Sequence, residues 1–250
     1  MILKVYNMTT TKRIGKKWFP FVMRKRVEGY SDLQKHCLDL VKQMEDRLES
    51  APEFLVDDND SHFRDDDVLV YSSGSGKYSM LQFQTMGDNP EISDFDRKRL
   101  SRTLHRFGEY DPKNDERAYT KWTSFATPEI KTFFDTFEDP ICRSSITKMD
   151  PNATLRPHWD MGPEFSVRIQ IPIVATEGME MGFRINKRHP WKVFKFEEGY
   201  AYFCNTGYEH YARNDGDQIR YQLRLNVIGQ HFLWDYNEVE ADFEKLEWDK

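Results

Sequence analysis

The run Ile219-Arg220-Tyr221-Gln222-Leu223-Arg224-Leu225-Asn226-Val227-Ile228 alternates apolar and polar side chains from Ile219 through Val227. Successive strand residues point to opposite faces, so Arg220, Gln222, Arg224 and Asn226 share one face and Tyr221, Leu223, Leu225 and Val227 the other. Two arrangements produce such a pattern: a polar row turned to solvent, or a polar row lining the inside of a barrel. A shorter version lies at 165–174, where Arg168 and Gln170 oppose Val167, Ile169 and Ile171. Further β-rich runs at 141–148, 180–185, 191–196 and 200–203 are punctuated by Pro, Gly and Asn. That spacing belongs to a sandwich or a closed barrel.

Upstream of 141 the texture differs. The spacing predicts an amphipathic helix over 31–50, with Leu33, Cys37, Val41, Met44 and Leu48 on one face and a Ser31-x-x-Gln34 capping box at its start. An acidic loop over 57–67 precedes two strands, 68–71 and 78–84, joined by a turn at 72–77. Gly74-Ser75-Gly76-Lys77 in that turn is no phosphate loop: the first motif glycine falls on Tyr71, and Tyr78 stands where Ser or Thr is required. A second helix is expected over 94–107, and Thr127-Pro128 reads as the N-cap and first residue of a third running to about 137. At the end of the chain, Val239, Phe243 and Leu246 lie at helical spacing among seven carboxylates. The expected organisation is an α+β region at 1–140 packing on a β-rich core at 141–232, with an acidic helix at 233–250.

The 250 residues suffice for one sizeable core, and 18 Phe, 12 Tyr and 6 Trp argue for a packed chain despite a mean hydropathy of −0.78. A net charge of −6 supplies no global positive field to draw nucleic acid or anionic lipid. Eight basic residues precede the first acidic one, Glu28, while eleven carboxylates crowd 39–67, so the two segments are expected to face each other within one fold. A basic arm for an acidic partner is the competing reading. No apolar stretch reaches the roughly 18 residues of a membrane span, and 1–30 lacks the apolar centre of a signal peptide. A cytoplasmic protein with no membrane partner is expected. Cys37, Cys142 and Cys204, odd in number and without CxxC spacing, are read as buried free thiols.

The chemistry-bearing residues stand in the β-rich half. His158-Trp159-Asp160 is followed, 50 residues beyond the aspartate, by His210. Two imidazoles and a carboxylate form a metal-ligand set, and residues i and i+2 of a strand reach one point. Such a facial triad leaves three positions open on Fe(II), room for a chelating co-substrate and O2. A lone HxD is also compatible with hydrogen-bonded imidazoles and no metal. Arginines on a confined polar face beside a cation favour an anion, because a guanidinium grips a carboxylate through two parallel hydrogen bonds. A dicarboxylate suits: one end on the metal, the other on arginine.

With His158-x-Asp160, His210 and Arg220 on the page, the chain resembles the Fe(II)- and 2-oxoglutarate-dependent oxygenases of the double-stranded β-helix fold. Segment 145–230 is most similar to the aspartyl/asparaginyl β-hydroxylase family, which includes bacterial free-proline hydroxylases. Four landmarks carry the likeness: Pro151-x-Ala153-x-Leu155-x-Pro157-His158-x-Asp160, Arg168-x-Gln170, the run 199–210, and Arg220. The resemblance implies a mainly β protein with flanking helices, its 141–232 core a jelly-roll or cupin-like barrel. It implies His158, Asp160 and His210 as catalytic iron ligands, Arg220 on the far carboxylate of 2-oxoglutarate, and Arg168 as a further basic contact to that co-substrate. Gln170 departs from the pattern, standing where the aspartyl/asparaginyl branch has a second co-substrate-contacting histidine. So does Asp160, a ligand where that branch has glycine; its carboxylate favours hydroxylation over halogenation.

The implied activity is hydroxylation of an unactivated C–H bond in an amino acid or peptide side chain, using O2 and converting 2-oxoglutarate to succinate. Trp159 and Trp191 are candidates for substrate-pocket walls, or for core. Arg156, Arg213 and Arg224 are candidates to meet a substrate carboxylate, or for surface ion pairs. Two other functions compete: a non-catalytic barrel that binds a metal or an acidic ligand, and a metal-dependent barrel dioxygenase without co-substrate.

Overall fold

A computed structural model describes residues 19–50, 63–65, 68–71, 78–87 and 115–231. Its elements are β1 (Val22–Arg26), α1 (Tyr30–Ser50), β2 (Phe63–Asp65), β3 (Val68–Tyr71), β4 (Tyr78–Gln82), β5 (Gln84–Thr85), a 3-10 turn at Glu116–Ala118, β6 (Lys121–Trp122) and α2 (Pro128–Phe134). The second half supplies β7 (Ile141–Met149), β8 (Ala153–His158), β9 (Val167–Val174), β10 (Met179–Arg184), β11 (Lys192–Phe194), β12 (Tyr200–Cys204), β13 (Glu209–Asn214) and β14 (Arg220–Val227). The helices expected over 94–107 and 233–250 and the turn at 72–77 lie outside the described residues.

An eight-stranded sheet in the order β1-β12-β9-β14-β7-β4-β3-β2 faces a four-stranded sheet in the order β11-β10-β13-β8. The described pairings of both sheets are antiparallel. This is the jelly-roll architecture expected for a double-stranded β-helix, mainly β with flanking helices. Hairpin β3–β4 forms as the sequence predicts and enters the large sheet by pairing β4 with β7. Part of the expected acidic loop is instead strand β2, paired with β3. Strand β1, legible in the sequence only as a basic stretch, closes the other edge against β12.

The alternation along β14 sorts the two faces of the large sheet. Leu223, Leu225 and Val227, with Val167, Ile169, Ile171 and Ile173 of β9, form an apolar outer face. Helix α1 covers it with Leu33, Cys37, Leu40, Val41 and Met44, and α2 adds Ile130 and Phe134. Each such side chain, fully buried, contributes about 1.5–3 kcal/mol. Thr127 caps α2 as expected, its side chain accepting from Ile130 N, and the helix stops at Phe134, short of the expected 137. The capping box of α1 does not form. Gln34 spends its amide on Ile173 O, 2.8 Å, tying the helix to β9, while Gly29 O accepts from Asp32 N and Leu33 N. Gly29, at φ +66°, makes the turn from β1 into α1 that a side chain would strain.

The polar row of β14 is buried as well, turned inward toward the small sheet. No helix among the described residues is long and apolar enough to cross a membrane. All three cysteines are buried free thiols.

Candidate metal and co-substrate site

His158 ends β8 directly across from His210 of β13, and the two rings lie 4.3 Å apart, centroid to centroid. Asp160 joins them from beyond the strand, anchored by its backbone N–H on Thr206 O at 3.0 Å. The expected i, i+2 pleat is therefore replaced by a chain that leaves the strand after His158. One ligand atom from each of the three residues falls within 4.8 Å of the others. His158 Nε2 is 3.9 Å from Asp160 Oδ1 and His210 Nε2 is 3.8 Å from Asp160 Oδ2.

Both imidazoles are oriented for this. His158 Nδ1 meets Arg156 O at 2.7 Å and His210 Nδ1 meets Tyr208 O at 3.0 Å. A carbonyl only accepts, so each Nδ1 carries the proton and each Nε2 keeps its lone pair. Burial, aided by the adjacent His158, lowers the His210 pKa to about 3 against the pull of Asp160, so the ring stays neutral. Burial opposes charge on Asp160, yet Arg168, His158, His210 and Arg143 outweigh it and hold the carboxyl well below the usual range. Two imidazole Nε2 atoms and one carboxylate, converging within 4.8 Å, fit a divalent metal such as iron.

A cavity of about 90 Å³ adjoins the triad, with Leu155, Met181 and Ala212 of the small sheet facing Thr147, Gln170, Arg220, Gln222 and Arg224 of the large one. Arg220 is 4% exposed. Its contacts are Met149 Sδ at 3.6 Å and the Gln222 side-chain oxygen, and its Nε has no hydrogen-bond partner among the described residues. Burial lowers its pKa to about 10, with Tyr78 and Cys204 pulling the other way. A buried guanidinium without a carboxylate is costly, and an anion entering the cavity relieves it. Gln222 continues the line, donating to Gln170 Oε1 at 2.5 Å.

Arg168 is committed differently. It donates from Nε to Asn226 Oδ1 at 2.6 Å and from Nη2 to Glu116, and Nη2 lies 3.0 Å from Asp160 Oδ2. Glu116 also accepts from Arg143 Nη1 at 3.2 Å and Ser166 Oγ at 3.1 Å. Arg168 thus stands between two carboxylates rather than open to a co-substrate. Sequence reasoning missed Glu116 and Arg143: the first lies in a short turn 42 residues before the triad, and nothing local marks it.

The remaining candidates divide. Arg224 lines the cavity and is buried. Arg156 is exposed and Trp159 half-buried, neither forming part of the cavity wall. Between the pairs Leu155↔Ala212 and His158↔His210, β8 has two residues where β13 has one. That bulge turns Leu155 and His158 inward together and Arg156 out. Arg213 pairs at the surface with Glu180 and Asp215, at 2.6 and 3.0 Å, and Trp191 packs under Arg184 and against Tyr211.

The sequence profile of the aspartyl/asparaginyl beta-hydroxylase family matches residues 98–229, more than half of the chain. The chain belongs to this family. The expected oxygenase identity and fold follow from that membership, and the His-Asp-His cluster lies inside the matched segment. Among solved structures, similar ones include a 2OG-Fe(II) oxygenase-family oxidoreductase from Burkholderia pseudomallei, 13% identical over 81% of this chain and 92% of that one, TM-score 0.38. Others are Bacillus subtilis oxalate decarboxylase, 22% identical over 40% of this chain and 24% of that one, TM-score 0.29, and a predicted oxalate decarboxylase from Thermotoga maritima, 12% identical over 68% and 92%, TM-score 0.31. No curated protein matches the chain.

Proposed function

We propose that this family member is an Fe(II)- and 2-oxoglutarate-dependent hydroxylase acting on an unactivated C–H bond of an amino acid or peptide side chain. The observation that carries the reading is the pairing of a convergent His158–Asp160–His210 triad with a buried, carboxylate-free Arg220 in one cavity. When bound, iron and its co-substrate supply the oxidising power, with O2 converting 2-oxoglutarate to succinate and CO2 and one oxygen atom delivered to the substrate.

The chain's own contribution is positional. His158, Asp160 and His210 would hold the metal, each through one convergent ligand atom, with the cavity beside them for the co-substrate. Arg220 would pair with the far carboxylate of the dicarboxylate and orient it in the cavity it shares with the triad. Arg168 and Glu116 hold Asp160 from behind. Leu155, Met181 and Ala212 give the cavity an apolar wall that limits water. Strands from 141–232 form the catalytic core, and the 1–140 region completes its large sheet. Three reduced thiols support a cytoplasmic setting.

His158→Ala and Asp160→Ala are expected to abolish succinate formation from 2-oxoglutarate while leaving the far-ultraviolet circular dichroism unchanged. Retained turnover in either variant removes the triad assignment.

A further inference from the structure

Phe19, Pro20 and Phe21 lead into β1 and lie outside the family-matched segment 98–229, yet they reach the turn between β12 and β13 that arranges two of the three candidate metal ligands. That turn, Asn205-Thr206-Gly207-Tyr208, is closed by Tyr208 N donating to Asn205 O at 3.1 Å. The Thr206 carbonyl accepts from the backbone N–H of Asp160, and the Thr206 hydroxyl donates to Met161 O at 3.0 Å. The Tyr208 carbonyl accepts from His210 Nδ1. One four-residue turn therefore sets the Asp160 backbone and the His210 ring together.

The N-terminal segment holds this turn in two ways. The first is polar. The register of β1 with β12 ends at Val22↔Cys204, and beyond it Asn205 N donates to Phe21 O at 2.8 Å. The Asn205 side chain, 0% exposed, spends both hydrogens of its amide on the same segment, on Phe19 O at 3.3 Å and Pro20 O at 3.1 Å. The second is a row of rings. Phe21 stands edge-on to Tyr208, centroids 5.1 Å apart, and stacks on Phe183 at 5.9 Å. Phe183, itself 0% exposed, stacks in turn on the His210 ring at 5.7 Å. With His158 on one side and Phe183 on the other, the His210 ring is clamped, and Phe21 backs the clamp. A strand that only closed the sheet edge would need neither contact, and both lead to metal ligands.

We propose that Phe21 and Asn205 are positioning residues for the metal centre: through them the segment Phe19–Phe21 holds Asp160 and His210 in the arrangement that binds a divalent metal. This rests on the triad as the metal site and extends its support to a part of the chain outside the matched core. Groups that orient metal ligands from behind govern affinity without touching the ion.

The test is Co(II) titration of the full chain under nitrogen, read by the visible absorption of the bound ion, with circular dichroism as the check on folding. Phe21→Leu keeps an apolar side chain and removes the ring; the Co(II) dissociation constant should rise about tenfold and the band shape should change. Asn205→Ala removes both amide donors and should weaken binding by about tenfold or more. Phe21→Tyr keeps the ring and should bind as the parent does. Met23→Ala is the control, on the same strand but with its side chain in the outer apolar cluster, and should lower stability without changing Co(II) affinity or spectrum. Phe21→Leu binding as the parent does, Phe21→Tyr binding as poorly as Phe21→Leu, or Met23→Ala weakening Co(II) equally overturns the positioning role. Should Asn205→Ala fail to fold, the two Phe21 variants and the control decide the matter. A parent chain that takes up no Co(II) overturns the triad reading instead, and shows this before any variant is titrated.

Discussion

The guanidinium of Arg168 lies 3.0 Å from Asp160 Oδ2, the oxygen that also faces His210. A cation so placed competes with a metal for that carboxylate. Glu116, holding the same Nη2, takes up part of its charge and stiffens its position. Glu116 is 2% exposed and also anchors Arg143 and Ser166, so it ties β7 and β9 to the triad through one group.

Glu116→Gln keeps the shape and removes the charge, which throws Arg168 wholly onto Asp160. Metal affinity should fall about 10–100-fold, as for other groups that orient ligands from behind. Anaerobic Fe(II) or Co(II) titration checks this. Glu116→Ala takes a partner from the buried Arg168 and the half-buried Arg143 and should cost about 3 kcal/mol in chemical denaturation.

Arg220→Gln should raise the 2-oxoglutarate dissociation constant about 10–100-fold, the worth of a charge-assisted pair, with metal affinity little changed. Separate titrations of metal and co-substrate read the two effects. Equal loss of both would place Arg220 in a structural role.

Metal binding should raise the melting temperature, since a ligand at 100 times its dissociation constant adds about 2.7 kcal/mol. Chelation should reverse the shift. His158→Ala and His210→Ala should melt near the metal-free parent and lose the metal response, as scanning fluorimetry with and without Mn(II) will show.

The thiols provide a pH signature. Burial pushes Cys37 and Cys204 up to about 12 and raises Cys142 well above its ordinary value of 9.0. The folded chain holds them neutral, so the stability they contribute is complete below about pH 9 and is lost as the pH climbs from there toward 12. Native protein at pH 8 should react with a disulfide reagent only as fast as it unfolds, and urea midpoints should fall between pH 9 and 11. Fast labelling of the native chain would contradict this burial.

Much of this was legible because the strands are periodic. The alternation along β14 fixes which residues share a face, and the HxD and distant histidine name the triad. It does not say which face is inward; both faces prove buried, and only the helix over Leu223 and Leu225 decides that the arginines turn into the cavity. Glu116 and Arg143 escaped because their roles come from long-range packing and from the bulge that sets Arg143 and Ser144 together against Leu225. Neither leaves a local pattern. The pleat argument placed His158 and Asp160 on one side of a strand; they do converge, but through a chain that departs the strand and is fixed by Thr206.

The most direct measurement is the visible spectrum of the full chain, reconstituted without oxygen with Fe(II) and 2-oxoglutarate. The expected result is a weak metal-to-ligand charge-transfer band that is lost in His210→Ala and in Arg220→Gln, followed by succinate once O2 is admitted with substrate. A chain that takes up Fe(II) but shows no band at saturating 2-oxoglutarate would contradict the account.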